Sequence, residues 1–114
     1  MSGLWSNGEI QFNVAEDGKM ITARNSPLGA SLIIKVRLSE QGCSRASSTT
    51  ISVFADIPIE NQSFRHSSVS GLTVEGTFVS ETVCKGTYSF EREDFSPGCS
   101  KYFRGSGSWK AWHR

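Results

Sequence analysis

Aromatic and basic side chains alternate near the end of the chain, in two short runs. The first is Lys101-Tyr-Phe-Arg104, and the second runs from Trp109 to Arg114. Aromatic rings of this kind stack on sugars or bases, and neighbouring cations contact phosphate or the ring face. The two runs therefore indicate a binding surface, for which the candidate residues are Trp112, Tyr102, Phe103, Arg104 and Lys110.

The alternation of a β-strand decides which of these rings can face a ligand. Successive side chains point to opposite faces, so Trp109 and Ala111 share one face, and Lys110 and Trp112 share the other. We expect Trp109 in the core and Trp112 free to act as a platform. The alternative is a strand that only closes the sheet, where Lys110 and Arg114 keep the edge from pairing with another chain.

Residues that could carry catalysis are sparse. No nucleophile elbow, phosphate-binding loop, zinc-protease or EF-hand pattern occurs. His66 and His113 could each assist a nucleophile, but both stand in loop-like or terminal sequence and fit exposed histidines better. Glu91, Glu93 and Asp94 offer oxygen ligands for Ca²⁺, but they fit a solvated acidic loop better. We expect no enzyme activity, no metal and no cofactor.

The three cysteines suggest a single disulfide. Cys43 and Cys99 each lie in Gly/Ser-rich sequence, whereas Cys84 lies inside a predicted strand. We favour a Cys43–Cys99 bridge with Cys84 free, which would place the protein in an oxidising compartment. Three reduced cysteines in an intracellular protein remain the alternative. No CxxC spacing is present, so a structural zinc site is not expected.

Length and composition indicate one domain, residues 1–114, without a global charge that would attract nucleic acid or a membrane surface. The chain has 114 residues, 37% apolar residues and a net charge of +1. The near-neutral charge argues against nucleic acid as a partner. No apolar run approaches the roughly 18 residues of a membrane span. The start of the chain lacks the pattern of a signal peptide, which fits either an intracellular protein or a mature exported chain, and we favour the second.

The apolar pattern predicts strands throughout. Residues 10–14, 31–38, 50–59 and 72–78 alternate apolar and polar side chains, with turn signals between them. Residues 91–105 read as an irregular loop. We expect an all-β fold: an antiparallel, jelly-roll-like β-sandwich of eight or nine short strands, or a small closed β-barrel. Edge strands of such a sheet also allow self-association.

One four-residue motif, with Gly-Thr followed by an aromatic residue, occurs twice in the chain, as Glu75-Gly-Thr-Phe78 and Lys85-Gly-Thr-Tyr88. It is typical of two strands paired across a short turn. Gly76 and Gly86 lack side chains to pack, so they should make room for a ring, with Trp109 or Trp5 as the candidates.

Several stretches together resemble a type of small bacterial domain that is often exported and has no assigned function. They are the start Gly3-Leu-Trp5, the two Gly-Thr-aromatic strands, the late Cys99 and the closing Trp109-Lys-Ala111. In that type the late cysteine commonly has an earlier partner, so the resemblance supports Cys43–Cys99. The all-β pattern, the absence of catalytic motifs and the expected disulfide lead us to predict a non-catalytic module of an extracellular or cell-surface protein that binds carbohydrate or protein.

Two other functions compete with this one. The Gly-x-Trp start and the late Trp109 are also similar to lipocalin and avidin barrels, which would imply an internal ligand pocket lined by Trp5, Phe12, Tyr88 and Trp109. The aromatic-basic end of the chain would suit an OB-like binder of single-stranded nucleic acid.

Overall fold

The computed structural model describes residues 2–37, 39–41, 48–68, 71–96 and 99–113, with side chains at 2–36, 50–68, 71–91 and 104–113. The described residues form strands and no helix, which confirms the predicted all-β class. The strands are β1 (Gly3–Ser6), β2 (Ile10–Val14), β3 (Met20–Ile21), β4 (Leu32–Arg37), β5 (Ser39–Gln41), β6 (Ser48–Val53), β7 (Ile57–Pro58), β8 (Ser63–Ser67), β9 (Leu72–Phe78), β10 (Val83–Ser96) and β11 (Cys99–His113).

The strands form one antiparallel sheet that curls into a half-barrel. Its main path has the order β6-β4-β2-β1-β11-β10-β9-β8. A second, narrow path leaves β2 through Val14↔Ile21 and continues from β3 to β7, and a tight turn closed by the Glu60↔Ser63 bridge then leads the chain into β8. This curvature fits both the sandwich and the small barrel that the sequence allowed.

The concave face of the sheet holds the core, because apolar residues alternate with polar ones along the strands as predicted. In β9, for example, Leu72, Val74, Gly76 and Phe78 are all buried. Five aromatic rings fill the centre, and each packs against at least two of the others with ring centroids 5.0–6.1 Å apart. They belong to Trp5, Phe12, Phe64, Phe78 and Trp109.

The two copies of the Gly-Thr-aromatic motif form the predicted hairpin, and their glycines, Gly76 on β9 and Gly86 on β10, are direct cross-strand partners. A Cβ atom added to Gly76 would lie 2.5 Å from Cε1 of Phe64 and 2.7 Å from Cη2 of Trp109, and one added to Gly86 would lie 2.7 Å from Cζ2 of Trp109. Both glycines therefore leave room for the Trp109 ring, and Gly76 also leaves room for Phe64. Trp5 stacks on Phe12 instead, with the two ring centroids 6.0 Å apart.

The prediction of an irregular loop over residues 91–105 is wrong. β10 continues to Ser96 and β11 begins at Cys99, and the two strands pair along their whole length. Few apolar residues alternate in this stretch, so hydrophobic periodicity gives no strand signal there. Antiparallel pairing satisfies the backbone hydrogen-bonding groups without help from a core, and that pairing is invisible in the pattern of side chains.

Candidate binding surface

The convex face of strands β8 to β11 carries the exposed side chains nearest to the predicted site. On this face Lys85 lies directly opposite Lys110, Val83 opposite Trp112, and Thr87 opposite Ser108. The hydroxyl-bearing Thr77 continues the row from Lys85 onto β9. We call the group Thr77, Val83, Lys85, Thr87, Ser108, Lys110 and Trp112 the convex patch.

Trp112 is the exposed tryptophan of the three. Its side chain is 46% exposed, whereas Trp5 is fully buried and Trp109 is 6% exposed. Nζ of Lys110 lies 5.6 Å from the Trp112 ring centroid, in the range of a cation–π contact. The strand alternation predicted that Trp109 is buried and that Trp112 is exposed.

An open depression of about 680 Å³ adjoins the patch at the end of the β1–β2 hairpin. Asn7 and Glu9 from the hairpin turn form one side, and Lys85, Lys110 and Ser108 are among the residues on the other. The turn is fixed because Oδ1 of Asn7 accepts hydrogen bonds from the backbone N–H groups of Glu9 and Ile10, at 2.8 and 3.0 Å. The volume of the depression is within the range of ligand sites, about 300–1,000 Å³.

The predicted site residues do not all come together. Lys110 and Trp112 are neighbours on one face, but Arg104 precedes Trp112 by eight residues, or roughly 26 Å along an extended strand. Arg104 is exposed and already has an interaction of its own. The backbones of Tyr102 and Phe103 pair with Gln41 and Glu40 of β5, and their side chains lie outside the described part of the chain.

Sequence reasoning missed Lys85, Val83 and Thr87 as members of the surface. They stand on β10, and they meet β11 only because the two strands pair in the observed register. Alternation along β10 indicates that Lys85 and Thr87 share one face, but it does not give the register with β11, so the sequence held no signal that places Lys85 beside Lys110.

The two histidines named as candidates stand on different strands, His66 on β8 and His113 at the end of β11. Nε2 of His113 lies 2.6 Å from the carbonyl oxygen of Ser2, and the ring packs on Trp5 at 5.1 Å between centroids, so His113 fastens the first strand to the last. No cluster of three or more His, Cys, Asp or Glu side chains in the described part of the chain could hold a metal ion.

Cys84 is a free thiol with no exposed surface, as predicted. Burial raises its pKa from 9.0 to about 12, although a hydrogen bond with the backbone of Thr77 acts in the opposite direction. Such a thiol stays protonated at neutral pH and is a poor nucleophile. The Cys43–Cys99 bridge remains a prediction, because Cys43 lies outside the described residues.

No helix among the described residues is long and apolar enough to cross a membrane. Comparison with known proteins finds no match, either to a family model, to a curated protein or to a solved structure. The chemistry of the convex patch is therefore the basis on which a function can be argued.

Proposed function

We propose that this chain is a non-catalytic β-module of an exported or cell-surface protein, and that it binds carbohydrate through the convex patch. The observation that carries the proposal is the exposure of Trp112, whose ring is 46% accessible on a paired strand while the other two tryptophans lie in the core. Tryptophan combines a large apolar ring with a polar N–H group and is enriched at binding interfaces, which supports a recognition role for this exposed ring.

The surroundings of Trp112 favour a sugar over an apolar protein partner. Hydroxyl and ammonium groups of Thr77, Thr87, Ser108, Lys85 and Lys110 occupy the convex patch, and only Val83 adds apolar surface within it. Sugar rings present an apolar C–H face to an aromatic ring and hydroxyl groups at their rim. The patch offers partners for both, whereas protein interfaces depend on a larger apolar centre.

The ligand barrel is a weaker candidate because its proposed lining residues contact one another. Trp5 and Trp109 both pack on Phe12, with ring centroids 6.0 and 5.9 Å away. These contacts support an occupied interior and direct the proposal to the outside of the sheet.

The test is binding of purified chain to a glycan array, followed by titration calorimetry with the best ligand. Trp112→Ala should reduce affinity about tenfold or more, as loss of a stacking ring does. Phe54→Ala is the matched control, because Phe54 is also exposed, at 67%, but lies next to β6 at the far end of the sheet. Binding that is unchanged in Trp112→Ala, or lost equally in Phe54→Ala, would contradict the proposal.

A further inference from the structure

Two lysines face each other at the centre of the convex patch. Lys85 and Lys110 are direct cross-strand partners and both are exposed. Side chains in this relation start about 5 Å apart, and like charges placed so are unfavourable. A sheet that holds two cations together in this way has a point of concentrated positive charge, even though the net charge of the chain is only +1.

No described carboxylate neutralises this pair. Neither lysine forms a salt bridge among the side chains that the structure describes. Glu75 lies on the same face of the neighbouring strand, but Oε1 of Glu75 is already bound by Nε of Arg65 at 3.1 Å. Glu9, across the depression, also has an interaction of its own. The two ammonium groups are therefore available to a ligand anion.

The cation pair is continuous with the aromatic platform. Lys110 precedes Trp112 by two residues on the same face, and its Nζ lies 5.6 Å from the centre of that ring. A neutral sugar that stacks on the ring face beside Lys110 would displace this ammonium group and offer it no charge in return. A sugar that carries an anionic group takes Lys110 as a ligand while its ring occupies the tryptophan.

We propose that the convex patch recognises an acidic carbohydrate, with the sugar ring on Trp112 and its carboxylate or sulfate group between Lys85 and Lys110. This inference rests on the proposed carbohydrate function and adds the chemical class of the sugar. Thr87 and Ser108, which form the next cross-strand pair, lie where hydroxyl groups of an adjoining sugar unit would reach.

A nucleic acid would bind to the same positive charge, but it needs a longer row of cations and stacking rings. Its backbone carries a phosphate on every nucleotide, so binders line a groove with cations and several stacking rings. The convex patch has one ring and two lysines among its described side chains, and its remaining polar groups are hydroxyls. Charge and geometry together favour a single anionic group on a sugar.

The experiment compares ligands that differ only in charge. Tetragalacturonate and its methyl ester share one sugar backbone, and a heparin tetrasaccharide tests sulfate in place of carboxylate. At low ionic strength the wild-type chain should bind at least one of the acidic sugars roughly fivefold more tightly than the neutral ester, as expected of two exposed ion pairs. This preference should fade when salt is raised to about 1 M, where screening is strong.

Three variants separate the two claims. The double variant Lys85→Gln/Lys110→Gln should bind the acidic sugar and the ester equally, whereas Lys35→Gln, an exposed lysine on β4, should keep the preference. Trp112→Ala should weaken both ligands. Equal binding of acid and ester by the wild-type chain would overturn this inference and leave the carbohydrate function standing.

Two other results would contradict the proposed carbohydrate function or the acidic-sugar inference. If neither the glycan array nor these ligands bind, the proposed function itself fails. If the oligonucleotide (dT)12 binds more tightly than either acidic sugar and loses affinity in the double lysine variant, the patch is a nucleic-acid site and the acidic-sugar inference is overturned.

Discussion

At the scale of single residues, Cys84 shows how burial sets reactivity. Its side chain lies on the concave face, where its cross-strand partners are Phe78 on β9 and Ala111 on β11, both buried. An ionised thiolate would lose its hydration there, which is why the pKa rises to about 12. The residue contributes to the core as a small apolar group.

This shift predicts a loss of stability at alkaline pH. In the unfolded chain the thiol ionises near 9, whereas in the folded chain it stays protonated up to about 12. The unfolded state then binds fewer protons between these values, so the free energy of unfolding should fall by about 1 kcal/mol per pH unit above pH 9. Below pH 9 both states hold the proton and no change is expected from this residue.

Urea unfolding of the wild-type chain and of Cys84→Ala, measured at pH 8 and at pH 10.5, checks this prediction. The variant should have the shallower dependence on pH, since the other titrating groups are common to both proteins. Equal dependence in the two proteins would show that the thiol is not held in its neutral form.

At the scale of elements, the hairpin of β9 and β10 is shaped by the ring that it accommodates. Trp109 on β11 lies over the two facing glycines and donates a hydrogen bond from Nε1 to the carbonyl oxygen of Thr87, at 3.3 Å. Three adjacent strands are thus locked in register by one side chain. The glycines are required by this close approach of a ring.

Gly86→Ala should lower the free energy of unfolding by about 2 kcal/mol or more, because a Cβ atom there would collide with the backbone oxygen of Glu75 as well as with Trp109. Gly107→Ala is the matched control on β11. The three atoms nearest to its Cβ would all belong to the outer part of the Tyr88 side chain, with Cε1 at 2.9 Å, and none of the three is a backbone atom. Thermal unfolding followed by circular dichroism measures both. A cost for Gly86→Ala no larger than for Gly107→Ala would contradict the packing described.

At the scale of the whole molecule, the two faces of one curved sheet have separate roles. The concave face is filled by five aromatic rings and the aliphatic residues around them, and it specifies the fold. The convex face carries Trp112 and the lysine pair, where substitutions leave the core untouched. Variants of the proposed site should therefore fold normally, which makes binding measurements interpretable.

The predicted Cys43–Cys99 bridge also belongs to this scale, because it would close a long loop and contribute roughly 4 kcal/mol in the chain-entropy treatment. Alkylation of the denatured protein followed by mass spectrometry should label one thiol without reductant, that of Cys84, and three after reduction. Three labelled thiols before reduction would remove the bridge and weaken the case for an extracellular setting.

The sequence alone determined the all-β class, the hairpin of the two Gly-Thr-aromatic strands, and the division between a buried Trp109 and an exposed Trp112. These follow from local periodicity, since alternation along a strand fixes which face a side chain takes. It could not give the length of the β10–β11 hairpin, because backbone pairing in a polar stretch leaves no hydrophobic pattern.

Only the tertiary structure brought Lys85 beside Lys110 and separated Arg104 from Trp112. Neighbours on one strand can be counted from the chain, but neighbours across strands depend on register, and register is decided by long-range packing such as that of Trp109 over the two glycines. The exposure of Trp112 was therefore readable from the sequence, whereas the pairing of Lys85 with Lys110 was not.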